Sequence, residues 1–125
     1  MSADDKARVW IRIVRCYLEE EDPTSAFTHL NKIKNILFNV QDQEVKLMFQ
    51  LSQARIYDSQ RAFLDAAQAY YTTSTVPVIE EDERLRIFGN AIICTVLAPA
   101  GPQRGKMLAK LYKDCLLYTS PSPRD

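Results

Sequence analysis

Apolar residues in this chain recur three and four apart rather than at every second position, the spacing of one face of an α-helix. Val9/Trp10, Ile13/Val14 and Tyr17/Leu18 form the first such stripe, with Arg8, Arg12 and Arg15 opposite, and predict a helix over about residues 4 to 20. Asp22-Pro23 then supplies a side chain that accepts from first-turn amides and a proline that loses nothing at the first helical position. The helix it opens should run to about Leu37 and bury Ala26, Phe27, Leu30, Ile33 and Leu37. Asp42 opens a third helix facing inward at Val45, Leu47/Met48, Leu51, Ala54 and Tyr57; Ser59 is expected to cap a fourth, with Phe63, Ala66, Ala67 and Tyr70 inward. Past Pro77, the carboxylates Glu80 to Glu83 sit where the positive end of a helix dipole favours them. The stripe Leu85, Phe88, Ile92 and Val96 follows, with Ala91 and Cys94 beside it. Pro99, Gly101 and Pro102 end that helix, and Pro102 starts a sixth with Met107, Leu108 and Leu111 on one face. No segment alternates strictly enough for a strand, since Val76 to Ile79 is short and holds a proline, so the fold class is all-α.

The pattern repeats at an offset of about 40 residues: Val14 falls over Ala54 and Cys94, Tyr17 over Tyr57 and Leu97, Ala26 over Ala66, and Leu30 over Tyr70. Small residues where two backbones approach, in helix pairs of that length, predict a right-handed tetratricopeptide (TPR)-like α-solenoid of about three antiparallel helix pairs over residues 1–114. A plain helical bundle with accidental self-similarity is the competing arrangement.

Composition narrows the function classes. The 125 residues, 46% hydrophobic and 26% charged, fit one ordinary water-soluble domain with a working core. Sixteen Lys+Arg balance sixteen Asp+Glu, so the long-range field on which a general nucleic-acid or acidic-membrane binder relies is missing. No apolar run of about 20 residues predicts a membrane span, and the N-terminus carries no secretory apolar segment. Cys16, Cys94 and Cys115 are odd in number and irregularly spaced, which fits a reducing compartment rather than a disulfide framework or zinc knuckle; Cys94 reads as core and Cys16 as half-buried.

Candidate chemistry is sparse. His29 is the only histidine, so metal motifs that need two imidazoles are ruled out, and no catalytic, metal or cofactor-binding residue is assigned. Ser25 and His29 stand four apart without an arranged carboxylate or oxyanion nest. Gly101 to Met107 superficially matches a phosphate-binding loop. Its glycines are one residue too close, Met107 replaces the magnesium-binding hydroxyl, and a helix rather than a strand precedes it. Arg8/Arg12/Arg15 and Lys106/Lys110/Lys113 are basic stripes at helical spacing that suit acidic partners, against the plainer account of solvated helix faces. Nucleic acid is not expected, because Tyr17, Tyr57 and Tyr70 lie on buried stripes rather than beside the cations.

Several blocks resemble a known family. Lys6 to Arg15 with Tyr17-Leu18-Glu19, Ala54-Arg55, Phe63 to Tyr70 and Cys94 to Ala98 carry the likeness, which ends with Ala100-Gly101, Gln103-Arg104, Met107-Leu108 and Leu111 to Asp114. These are similar to the helical-repeat region of the subunit 4 family of the COP9 signalosome. Pro99 and Pro102 depart from that pattern. The resemblance covers residues 6 to 114, an internal minority of a full member, and implies a helix-pair solenoid that precedes a winged helix in a PCI domain. It further implies a non-catalytic scaffold and recognition subunit of the complex that removes a ubiquitin-like modifier from cullin-RING ubiquitin ligases. Its partners would be the other signalosome subunits and the cullin-RING ligase, with no nucleic acid or membrane, in cytoplasm and nucleus. Arg8, Arg12, Arg15, Arg104 and Lys106 are the candidate protein-binding residues. The alternatives are the solenoid of a proteasome-lid PCI subunit, or a stand-alone TPR-like peptide-binding module. Residues 115–125, a stretch without periodicity that ends in alternating Pro and Ser, read as a disordered, non-native tail.

Overall fold

The computed structural model describes residues 2–119 and contains α1 (Ala3–Glu19), α2 (Pro23–Ile36), α3 (Gln43–Ser59), α4 (Phe63–Ser74), α5 (Glu81–Leu97) and α6 (Pro102–Thr119). A short 3-10 turn, Leu37–Asn39, follows α2, and no strand occurs among the described residues, as the all-α reading expects. Each helix packs chiefly on its neighbours in sequence, while α1 also meets α3 and α4 also meets α6.

The expected caps form at Asp22 and Asp42, which accept from the backbone amides of Ser25 and Glu44 at 3.1 and 2.9 Å. Ser2, which the sequence reading did not single out, accepts from the Asp5 amide at 3.2 Å; all three satisfy donors that have no partner inside the helix. Ser59 does not cap α4. It is the last residue of α3, and Ala62, which offers no side-chain acceptor, holds the cap position. Two further residues were needed to turn the chain, and the pattern of capping residues alone does not count them.

Those residues make the repeat visible in the backbone. Glu21 and Arg61, 40 positions apart, are the two non-glycine residues with positive φ among the described residues, at 59° and 61°. At the first turn the amides of Glu21 and Asp22 reach back to the carbonyls of Leu18 and Tyr17. At the second, Arg61 and Ala62 reach the carbonyls of Asp58 and Tyr57. This crossed pair is the Schellman ending of an α-helix, with Glu and Arg in the left-handed position that glycine usually takes. The third turn departs from it: Ala98 is extended, and Pro102 begins α6.

Two apolar clusters form the core. Ala7, Ile11, Val14, Ala26, Leu30 and Ile33 join Val40, Val45, Phe49 and Ile56 in the first. Ala54, Ala66, Ala67, Tyr70, Ile79, Ile87, Phe88, Ala91, Cys94, Met107 and Leu111 form the second. Helix α3 feeds both, Ile56 into one and Ala54 into the other, so its apolar residues spread around the helix instead of forming one stripe. The expected inward positions Val9, Phe27, Leu85 and Val96 are exposed. Contact centres instead on small residues such as Ala7, Ala26 and Ala91, which bring the helices close and turn the large neighbours outward. Buried hydroxyls bond within their own helices: Thr73 and Thr95 donate to the carbonyls of Ala69 and Ala91 at 2.7 and 2.8 Å.

At the chain's end the structure differs from the expected tail. Helix α6 runs through Thr119, and Cys115 is half-buried against the second cluster, so Cys115 continues the periodicity of Met107 and Leu111. The rest of the expected tail, residues 120–125, lies outside the described residues.

Candidate protein-binding groove

Helices α3 and α5 scarcely touch each other; α4 lies behind both and packs on each. The gap between them is a cleft of about 410 Å³, with Arg15 of α1 and Tyr70 of α4 in its lining. Met48, Leu51 and Ile87 supply its apolar part, Arg55 and Asn90 its polar part, and Glu83 one acidic side chain. A second cleft of about 210 Å³ lies between α1 and α3, lined by Arg8, Arg12, Arg15, Asp42, Glu44 and Met48. Arg15 and Met48 line both, so the two clefts adjoin along the side of the molecule formed by α1, α3 and α5, here called the groove.

The basic stripe of α1 divides on inspection. Arg8 is held by its own chain, donating to Asp42 at 2.6 Å and to Asp5 at 3.1 Å. That bond holds the Asp42 carboxyl below the usual carboxylate range and raises the Arg8 guanidinium. With Asp4 accepting from the Gln41 amide at 2.9 Å, it latches the start of α1 to the start of α3. Arg12 and Arg15 are exposed and form no ion pair among the described residues. Arg55, which the stripes did not include, joins them in the groove and is also unpaired. Its signal was present in the sequence as the counterpart of Arg15 at the repeat offset of 40.

Arg104 and Lys106 do not join this groove. Arg104 turns back to donate to the carbonyls of Thr95 and Val96, both at 3.2 Å, and so covers the negative end of α5. Lys106 is exposed on α6, and Lys110 of the same stripe sits 4.8 Å from the Tyr71 ring centre, tying α6 to α4. Gly101 to Met107 is the opening of α6, with the Gly105 amide bonded to the Gly101 carbonyl at 3.1 Å, rather than a loop around a phosphate.

His29 faces the backbone carbonyl of Ser25 at 2.9 Å and lies against the Tyr17 ring, 5.1 Å between centres. Asp22 accepts from the Ser25 amide at 3.1 Å, and hydrogen bonding to Ser25 holds its carboxyl below the usual range. Serine and histidine thus have separate partners. Among the described residues, no three His, Cys, Asp or Glu side chains converge to hold a metal ion, and no helix is long and apolar enough to cross a membrane. Cys94 is buried as expected, and its thiol is pushed up to about 11 by burial and by Asp58; Cys16 is exposed rather than half-buried, on the side of α1 away from Ile11 and Val14.

The family model described as "PSMD12/CSN4, N-terminal" matches residues 1–82. COP9 signalosome complex subunit 4 of Emericella nidulans is 54% identical over 114 residues, covering 91% of this chain and 28% of the relative. The protein of that name from Neurospora crassa is 58% identical over 111 residues, covering 87% and 25%, and the Drosophila melanogaster protein is 35% identical over 113 residues, covering 90% and 28%. The chain therefore spans about a quarter of the length of these relatives. With a helical repeat seen in the sequence, its turn reproduced in the backbone and a family match over most of its length, the chain belongs to the PSMD12/CSN4 N-terminal family.

Proposed function

We propose that this chain is the helical arm of a non-catalytic scaffold and recognition subunit of the COP9 signalosome, working in cytoplasm and nucleus. The complex removes a ubiquitin-like modifier from cullin-RING ubiquitin ligases, and the arm positions that substrate while the chemistry occurs on another subunit. The observation that carries the reading is the identity to signalosome subunit 4 proteins over nine-tenths of the chain, 54% in Emericella nidulans. The relatives' names favour the signalosome over the proteasome lid. The repeated Schellman turn supports stacking of helix pairs in a right-handed TPR-like solenoid, whose faces would meet other signalosome subunits and the cullin-RING ligase. The test is a reconstituted complex in which the subunit carrying this chain lacks residues 3–114. Substrate KM is expected to rise about tenfold or more while cleavage of a minimal modifier fusion stays within about twofold. Unchanged KM for the cullin-RING substrate contradicts the recognition role.

A further inference from the structure

From the groove along α1, α3 and α5, we infer that this arm takes an acidic peptide segment with one apolar side chain, the carboxylates on Arg12, Arg15 and Arg55 and the apolar group on Met48 and Leu51. The inference rests on the reading of the chain as a protein-binding arm, but not on the identity of the complex it serves.

Charge is the first reason. Arg8, Arg84, Arg86 and Arg104 all spend their guanidiniums on groups of their own chain: Asp5 and Asp42, the Ser74 and Ile79 carbonyls, Glu83, and the Thr95 and Val96 carbonyls. Arg12, Arg15 and Arg55 have no such partner among the described residues; Arg12 and Arg15 line the cleft between α1 and α3, and Arg15 and Arg55 the adjoining cleft between α3 and α5. The acids of the lining are not paired with them: Asp42 is committed to Arg8, Glu83 to Arg86 at 2.9 Å, and Glu44, in the first turn of α3, forms no ion pair among the described residues. Guanidiniums left free in a concave site are suited to carboxylates, which they grip with two parallel hydrogen bonds.

The lining is the second reason. Met48 and Leu51 are half-exposed between the cations, and an adaptable methionine beside a leucine suits an aliphatic side chain. A nucleic acid would instead need exposed rings to stack its bases, and Tyr70, the aromatic residue in the lining, is only 5% exposed. Arg12 and Arg15 are three residues apart, about 4.5 Å along the helix, within reach of neighbouring carboxylates on one peptide.

The experiment titrates the full 125-residue chain into a fluorescein-labelled Glu-Asp-Glu-Leu-Asp-Glu-Asp peptide and follows anisotropy at low salt. Binding is expected, with Arg15→Gln/Arg55→Gln weakening it about tenfold or more and Arg61→Gln/Lys106→Gln by less than about twofold. Replacing the central Leu by Ser should weaken it about threefold or more. All four substituted positions are exposed, and a circular dichroism melt confirms that each variant folds. Absence of binding, equal losses from the two double variants, indifference to the Leu, or tighter binding of an oligothymidylate of equal charge would each overturn the inference. A complex that ignores deletion of the arm overturns the proposed function while leaving this groove's peptide binding to stand or fall by itself.

Discussion

At the scale of single residues, burial and pairing set measurable chemistry. Burial pushes the Tyr70 hydroxyl up to about 12 from an ordinary 10.0 and the Cys94 thiol up to about 11 from 9.0. The folded chain holds both protons longer than the unfolded chain, so their contribution to stability is complete below about pH 9 and is lost as pH rises towards 12. Tyr70→Phe should flatten that alkaline limb in chemical melts taken from pH 8 to about 12; an unchanged limb would show that Tyr70 is not its source. Asp42 has the opposite sign. Its carboxyl is lowered chiefly by the Arg8 hydrogen bond, so its contribution is present above the ordinary carboxylate value and is lost as pH falls through the lowered one. Asp42→Asn is expected to shallow the acid limb, as read by the same melts. Native Cys94 should resist a thiol reagent that modifies Cys16 within minutes, reacting only on unfolding; equal rates would contradict its placement in the core. Arg104 shows where reading side chains from sequence stops. Its charge is plain in the sequence, but only the fold shows that two carbonyls of α5 consume it.

At the scale of elements, the sequence was most informative where one face of a helix is buried and least where two are. The starts of α2 and α3 follow from Asp22 and Asp42, whereas the Ser2 cap of α1 went unread. Phe49 and Ile56 were not legible as core, because α3 lies between two clusters and a single stripe does not describe it. The turns after α1 and α3 were equally hidden: nothing marks Glu21 or Arg61 as left-handed, since glycine is the residue that signals that conformation. They are consequently sites of gain. Glu21→Gly and Arg61→Gly should each stabilise the chain by about 0.5–1 kcal/mol, and Ala62→Asp, which copies the cap of Asp22, by about 1 kcal/mol, measured by urea melts. Ala66→Leu tests the close approach from the other direction. With Ala66 wholly buried, overpacking is expected to cost about 1–3 kcal/mol, and a neutral result would mean that α4 is free to move away.

For the whole molecule, the two clusters joined by α3 make a continuous core, while α5 and α6 keep exposed apolar residues. Ile93, Val96 and Leu97 of α5 and Leu108, Tyr112 and Leu116 of α6 are all exposed. Such residues gathered on terminal helices favour stacking against another surface, so the isolated chain should self-associate, with a sedimentation coefficient that rises with concentration. Tyr112→Glu/Leu108→Glu is expected to restore a monomer; a wild-type chain that stays monomeric at high concentration would contradict this account of the exposed apolar residues. The opposite property, unpaired arginines around a partly apolar groove, supports the proposed protein-binding role. Affinity purification of the intact protein that carries this chain, from its source cells and followed by mass spectrometry, tests that role most directly. The account predicts recovery of the other COP9 signalosome subunits in stoichiometric amounts, and a purification that yields none of them would contradict it.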